Sequence, residues 1–215
     1  CKCFSLLYDL SILEKILNVF SFFSLNIANF ELLMFNRNIE RKERVKMEEL
    51  TSCKTAIDNC KVSGTFAIAH LYKEEKAMDM HIHDCYEIYY SICGGKQFLI
   101  DNCFYTIAPG DLFIINQYES HKLTQIDNSV HERIVLSVAP DFMKQISTEK
   151  TDLSFCFTHR SAPFSHKLSL NKEQQKRFLY YINKITSAEG FAHDITEYAA
   201  FMELMVMLNT LFVRN

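Results

Sequence analysis

The stretch from His81 to His121 constrains the fold more than any other part of the chain. It holds short runs of alternating polar and apolar residues, separated by turn residues. If the first run is a strand, residues 83, 85, 87, 89 and 91 share one face, because side chains alternate between the two faces. His83, Glu87 and Tyr89 then lie on one face, and Ile88 and Tyr90 lie on the other. Polar side chains inside a closed sheet form a ligand or metal site more readily than a dry core.

The same pattern predicts a series of short strands. They lie near 85–93, 97–101, 103–107, 111–115, 121–126 and 132–138, after a first strand that begins at Gly64. Gly94-Gly95, Asp101-Asn102 and Pro109-Gly110 separate them, and these residue types favour tight turns. Evenly spaced short strands indicate a sandwich or a barrel. A short helix is predicted over 140–147, and a last strand is predicted over 153–157.

The pattern becomes helical after residue 169. Asn171 and Gln174 form a predicted capping box, followed by a helix that Gly190 ends. Its apolar residues recur at helical spacing: Phe178, Tyr181, Ile182 and Ile185. A second helix is predicted over 194–212. It carries a seam with 3-4-3 spacing that is typical of helix pairing: Phe201, Leu204, Leu208 and Leu211.

Two motifs in the strand region resemble the cupin fold. The first reads His81-x-His83-x3-Glu87-x6-Gly94, and the second reads Pro109-Gly110-Asp111 with His121 ten residues after the aspartate. The run Tyr86-Glu87-Ile88-Tyr89-Tyr90 is more narrowly similar to the sensor domain of AraC-type transcription regulators. So is His131-Glu132-Arg133-Ile134-Val135-Leu136, which leads into Pro140-Asp141-Phe142-Met143. The resemblance implies a mainly β, cupin-like jelly-roll barrel followed by an antiparallel pair of C-terminal helices.

The resemblance also implies a function: an effector-binding, dimerising sensor domain that is not itself an enzyme. The expected effector is a small polar molecule, and its expected contacts are His81, His83, Glu87, Tyr89 and His121. No cofactor is expected. A divalent metal, if one binds, would use His81, His83, Glu87 and His121, since imidazole and carboxylate ligands suit several such ions. The seam Phe201, Leu204, Leu208 and Leu211 is the expected homodimer contact.

One alternative from another functional class stays open. The same three histidines and glutamate are the residue types at the positions that metal-dependent cupin enzymes use, so a dioxygenase, isomerase or epimerase is chemically reasonable. Two features favour the sensor: the Tyr-Glu-Ile-Tyr-Tyr run, and the long helical region that a minimal cupin enzyme does not need. Metal analysis would separate the two readings.

Composition limits the partners. The chain is 48% hydrophobic, as in ordinary globular proteins. Seven of the 23 basic and five of the 26 acidic residues lie in 1–46, so 47–215 carries a net charge of −5. An acidic domain lacks the basic surface that phosphate contacts require, so DNA binding is expected only from a further domain that is missing here. The eight cysteines show no paired spacing, which indicates reduced thiols in a cytoplasmic protein.

Three segments are predicted. Residues 1–46 form an N-terminal extension, either a translated leader upstream of Met47 or a true amphipathic extension. Their longest uncharged run is too short and too interrupted for a membrane span, so no membrane association is expected. Residues 47–168 form the sensor barrel, and 169–215 form the helical dimerisation and linker region. The resemblance implies helix-turn-helix units after this point, and the chain holds no residues for them.

Overall fold

The computed structural model describes residues 52–73, 79–125, 131–161 and 164–214. The described helices are α1 (Cys53–Ser63), α2 (Pro140–Ile146), α3 (Phe155–Thr158), α4 (Lys172–Thr186) and α5 (His193–Arg214). The described strands are β1 (Phe66–Lys73), β2 (Tyr86–Cys93), β3 (Gln97–Ile100), β4 (Cys103–Thr106), β5 (Asp111–Ile115), β6 (His121–Gln125), β7 (His131–Val138) and β8 (Lys167–Ser169). The predicted extension, 1–46, lies outside these residues, and the three predicted segments stay predictions.

The strands form two antiparallel sheets. The larger sheet has the order β1-β7-β2-β5-β8, and the smaller one has the order β4-β3-β6. Each predicted strand between 85 and 138 is present, with ends shifted by a residue or so. The mainly β, cupin-like architecture followed by a helix pair is therefore confirmed.

Two hydrophobic cores lie on opposite faces of the larger sheet. The inner core joins the two sheets and includes Tyr89, Phe113 and Val135 of the larger one and Phe98 and Leu123 of the smaller one. The outer core lies between the larger sheet and the helices, and its members include Ile88, Tyr90, Leu136, Phe178 and Phe201. The barrel and the helix pair therefore share a core.

Helix α4 begins where the capping box predicts. The Asn171 side chain accepts a hydrogen bond from the Gln174 backbone N–H at 2.9 Å, and the Gln174 side chain accepts one from the Asn171 N–H at 2.8 Å. All four predicted apolar residues of α4 are buried. The helix ends at Thr186 with Ser187 as its C-cap, before the predicted stop at Gly190, which takes a positive φ of 76° in the following turn.

The predicted strand over 153–157 is wrong. This segment contains α3, and the last strand is β8, which pairs with β5. A short apolar run does not by itself distinguish a buried helix from a strand, and here α5 decides. The Asn209 side chain accepts from the Cys156 N–H at 2.9 Å and donates to the Leu153 carbonyl at 2.8 Å. These bonds satisfy backbone groups that a strand would have to pair elsewhere.

Helix α5 is long and apolar enough to cross a membrane by length and composition. Core helices of globular proteins have the same properties, and one side of α5 packs against the larger sheet. The Phe201 ring stacks on Phe66 of β1 with centroids 4.4 Å apart, and its ring lies 5.7 Å from that of Phe142 in α2. Phe201, Leu204 and Leu208 are fully buried within the chain, and Leu211 is partly buried. Those three residues therefore cannot contact a second copy in this conformation.

Candidate effector and metal site

Strand β2 presents Glu87, Tyr89 and Ser91 to the space between the sheets. Residues paired across antiparallel strands share a face, and the partners of Glu87 are Ser137 of β7 and Ile115 of β5. Tyr89 and its partner Phe113 both belong to the inner core. The predicted face assignment in β2 is therefore correct. A buried carboxylate at 3% exposure needs charged or hydrogen-bonding partners.

Two distant segments supply those partners. His81 and His121 form a two-way backbone bridge, with N···O distances of 3.2 and 3.0 Å. The Tyr118 N–H donates to the His83 carbonyl at 2.9 Å. The loop before β2 is thereby fixed against the start of β6. The two motifs meet as the sequence predicts, with imidazole centroids 4.1 Å apart for His81 and His121 and 4.9 Å apart for His83 and His121.

Each of the three imidazoles is oriented by a backbone carbonyl two residues away. Nδ1 of His81 lies 3.0 Å from the Asp79 oxygen, Nδ1 of His83 lies 2.9 Å from the Cys85 oxygen, and Nδ1 of His121 lies 2.9 Å from the Glu119 oxygen. A carbonyl only accepts, so each Nδ1 carries the proton and donates it. Nε2 is then the nitrogen left to face the cluster. One ring nitrogen from each of the three histidines lies within 4.8 Å of the others.

Glu87 completes the cluster. Its Oε2 lies 3.1 Å from Nε2 of His83 and 3.8 Å from Nε2 of His121. Burial would raise the pKa of Glu87, but the nearby His121 and the charge and hydrogen bond of His83 hold that pKa well below its usual range. Burial would lower the pKa of His83, but hydrogen bonds with Cys85 and Glu87 and the carboxylate charge raise it to about 10. Without a ligand, the cluster therefore contains a buried carboxylate–imidazolium pair.

The pKa values of the other two histidines shift in opposite directions. Burial, and then the neighbouring His121, lower the pKa of His81. Burial opposes the charged form of His121 as well, but Glu87 outweighs it and raises that pKa. Nε2 of His121 is buried and has no hydrogen-bond partner among the described residues. That nitrogen lies 3.8 Å from the carboxylate, and a bound cation or a hydrogen-bonding ligand would supply its missing partner.

Tyr89 lies on the inner face of the sheet, beside Phe98 and His131. Its hydroxyl bonds to Nε2 of His131, and its ring lies 5.0 Å from that of Phe98. Phe98 in turn lies 6.0 Å from the His121 ring. The structure thus brings His81, His83, Glu87 and His121 together and places Tyr89 on the same inner face, next to Phe98.

Several buried polar residues near the site are not among the predicted site residues. His131 and Arg133 of β7 are buried on the inner face, with Val135. The period-two pattern of β7, which places 131, 133, 135 and 137 on one face, could have found them. The sequence around His166 shows no comparable periodic pattern. It is buried, 2.9 Å from the Tyr105 hydroxyl and 3.2 Å from a Glu119 oxygen.

Glu119 links the buried His166 to the histidine cluster. Its carboxylate oxygens lie 2.8 and 3.2 Å from the Arg160 guanidinium, while its backbone carbonyl orients His121. Burial would raise the pKa of Glu119, but its interactions with His166 and Arg160 lower it to about 2. The loop that positions His121 is therefore fastened to the segment between α3 and β8.

Comparison with known proteins assigns this fold and site to a family. The sequence model of the AraC-like ligand binding domain matches residues 64–204, so the chain belongs to that family and is the sensor domain of an AraC-type regulator. An uncharacterized HTH-type transcriptional regulator of Bacillus subtilis (strain 168), YbfI, is 27% identical over 95 residues, which are 44% of this chain and 34% of that protein. The chain thus matches about a third of the length of this curated relative.

Solved structures give weaker likenesses. Apo ToxT from Vibrio cholerae is 13% identical with a TM-score of 0.45, over 69% of this chain and 57% of that one. A cupin protein from Bacteroides fragilis is 18% identical with a TM-score of 0.32, over 35% of this chain and 67% of that one. At these scores the assignment rests on the family match.

Proposed function

We propose that this sensor domain binds a small polar effector at the cluster of His81, His83, Glu87 and His121, with Tyr89 behind it. The observation that carries the proposal is the convergence of three carbonyl-oriented imidazoles, two of which face one buried carboxylate. A sugar, a carboxylic acid or an amine could exchange hydrogen bonds with such a mixed donor and acceptor set. An effector can change regulation only if it binds two conformations of the domain with different affinities.

The donor set also fits a divalent transition metal. A histidine that ligates a metal commonly donates its other ring N–H to a backbone carbonyl or carboxylate, and this hydrogen bond fixes the orientation of the ring. His81, His83 and His121 would hold the ion with Glu87, and its remaining coordination positions would accept an oxygen or nitrogen of the effector. The expectation of no cofactor stays a prediction.

A metal-dependent cupin enzyme is the second candidate, and this donor set is the observation that favours it. The family match, which is to a ligand-binding domain, supports the non-enzymatic reading. Elemental analysis of the purified chain tests the metal. Near-stoichiometric Fe, Ni, Mn or Zn that is lost in His83→Ala and kept in His70→Ala would favour the metal-centred site. His70 is a matched control because it lies on β1 and pairs with Glu132.

Thermal unfolding in the presence of sugars, carboxylic acids and amines tests the effector site. We expect stabilisation by one chemical class that is lost in Glu87→Gln and kept in Glu132→Gln. Stabilisation that survives substitution of both His83 and Glu87 would place the effector elsewhere and contradict the proposal. Steady conversion of a stabilising compound to product would favour the enzyme.

Dimerisation is proposed through the outer face of α5. Three of the four predicted seam residues are buried in the chain's own core, but α5 also carries exposed apolar residues along one side: Ile195, Met202, Val206 and Val213. A second copy of the chain would cover this stripe, as apolar helix faces commonly pair. Sedimentation analysis should find a dimer that Val206→Lys converts to monomer. Val62→Lys, at a site 88% exposed on α1, should have no effect.

The activity of the parent protein is also a proposal. The relative is an HTH-type transcriptional regulator, which supports DNA binding by a domain beyond the match and a cytoplasmic location. The sensor domain by itself should bind no operator DNA, because residues 47–215 carry a net charge of −5, whereas a protein that includes a helix-turn-helix domain should bind it.

A further inference from the structure

One arginine joins the loop that orients His121 to the helical side of the molecule. Arg160 lies between α3 and β8, and its guanidinium contacts both oxygens of the Glu119 carboxylate. Its Nε lies 2.8 Å from Oε1, and its Nη2 lies 3.2 Å from Oε2. A bidentate pair of this kind fixes the relative orientation of the two groups as well as their distance.

Glu119 carries this contact to the histidine site. Its carboxylate accepts a hydrogen bond from the Asn116 backbone N–H at 2.6 Å, and its own carbonyl accepts the Nδ1 proton of His121 at 2.9 Å. The residue that binds Arg160 therefore also sets the direction of the His121 ring. A ligand on Nε2 of His121 that shifts the ring acts on the loop that holds Arg160.

The other side of Arg160 reaches α5 through α3. Its Nη1 donates to the Cys156 carbonyl at 3.0 Å. Cys156 in turn donates its backbone N–H to the Asn209 side-chain oxygen of α5 at 2.9 Å. A single residue of α3 is thus bonded to Arg160 at its carbonyl and to α5 at its N–H.

An aromatic contact supports the same route. The guanidinium carbon of Arg160 lies over the Phe164 ring, 4.3 Å from its centroid, and such a cation–π contact is attractive. The Phe164 ring lies 6.3 Å from that of Phe212 in α5. Both routes therefore arrive at the last two turns of α5, which also carry Val213 of the stripe proposed for dimerisation.

Arginine is the residue type that can make these contacts together. Its planar guanidinium carries five N–H donors in a fixed fork, so it binds a carboxylate, donates to a carbonyl and stacks on a ring at the same time. A lysine ammonium would keep the charge of the pair with Glu119 but lose this fixed geometry. Arg160→Lys therefore separates the charge of the contact from its geometry.

We propose that Arg160 couples the histidine site to the last two turns of α5, so that a ligand bound at His121 stabilises residues 207–214. The inference rests on the proposed ligand site and adds the route by which its occupancy reaches α5. Coupling between two sites is reciprocal, so a change at this end of α5 also acts on the loop of His121.

Hydrogen–deuterium exchange of the full chain with and without Zn²⁺ tests the coupling. In the wild type, Zn²⁺ should slow exchange in 81–87 and 116–121 and also, by at least about 5-fold, in 207–214. In Arg160→Lys the first two segments should stay protected by Zn²⁺, and the protection of 207–214 should be lost. Arg177→Lys is the matched control, because this guanidinium lies over the Tyr181 ring within α4, and it should behave as the wild type.

The metal-free protein supplies a second arm. There Arg160→Lys should speed exchange in both 116–121 and 207–214 and leave β7 unchanged. A response at only one of the two ends, or an equal rise in β7 that reports global destabilisation, would overturn the proposal. Asn209→Ala breaks the route at its other end and should give the same pattern if Arg160→Lys does not fold.

The Zn²⁺ arm separates this proposal from the ligand site on which it rests. Zn²⁺ that protects 81–87 but not 207–214 in the wild type, or that still protects 207–214 in Arg160→Lys, would also overturn the coupling. Zn²⁺ that protects none of the three segments would contradict the proposed metal site instead. The metal-free arm would then still decide whether Arg160 couples the two ends.

Discussion

The two faces of the five-stranded sheet carry different kinds of residue, although the same strands form both. Tyr86, Ile88 and Tyr90 of β2 belong to the apolar core under the helices. The intervening Glu87 and Ser91 are polar and almost fully buried on the inner face. Burying apolar area stabilises a fold, whereas burying a carboxylate costs free energy unless it is paired. The outer face therefore holds the domain together, and the inner face carries the groups that can bind.

The largest expected effect is on the outer face. Phe201→Ala removes a ring that stacks on Phe66 and is fully buried, so the free energy of unfolding should fall by about 3–5 kcal/mol. Lys176→Ala, exposed on α4, should change it by less than about 0.5 kcal/mol. Chemical denaturation of both variants measures the difference. Equal effects would mean that α5 is not packed on the sheet as described.

The next effect separates the two faces within one strand. Glu87→Gln removes the charge that faces His83 and His121, and Zn²⁺ affinity should fall about 10–100-fold, as for other groups that support a metal site. Ile88→Val, on the opposite face, should leave that affinity unchanged and cost about 0.5–1.5 kcal/mol of stability. Titration calorimetry and denaturation test both. If Ile88→Val weakened binding as much as Glu87→Gln, the division between the faces would fail.

The pH dependence of the ligand-free protein tests the charge on the inner face. The pKa of His83 is raised from 6.5 to about 10, so this histidine stabilises the fold fully below pH 6.5. Between pH 6.5 and about 10 the folded chain keeps a proton that the unfolded chain has lost, and this contribution disappears as pH rises. The wild type should therefore lose up to about 1.4 kcal/mol per pH unit relative to His83→Gln across that range. A flat difference curve would show that His83 is neutral in the folded state.

The smallest effect concerns a helix end outside both cores. Asn171→Ala removes the side-chain oxygen that caps α4, which should cost about 1 kcal/mol. Asn183→Ala, exposed within the same helix, should be nearly neutral. Neither variant should alter Zn²⁺ binding. A change in binding for Asn171→Ala alone would indicate coupling between the helices and the inner face.

Sequence reasoning succeeded where a residue's role depends on its near neighbours. The capping box of Asn171 and Gln174, the turns at Gly94-Gly95 and Pro109-Gly110, and the inner position of Glu87 all follow from short-range geometry. It failed for residues 153–157, where a side chain from α5 supplies the deciding hydrogen bonds. It could not find His166, whose partner Glu119 is distant in the chain.

The sequence by itself determined the alternation that divides β2 between two environments and the family to which the motifs point. Only the tertiary structure decided which atoms meet. It oriented three imidazoles through backbone carbonyls, placed the Glu87 carboxylate beside two of them, and buried three of the four predicted seam residues of α5 within its own chain. The physical reason is that periodicity assigns a side chain to a face, whereas its partner on that face depends on how distant segments pack.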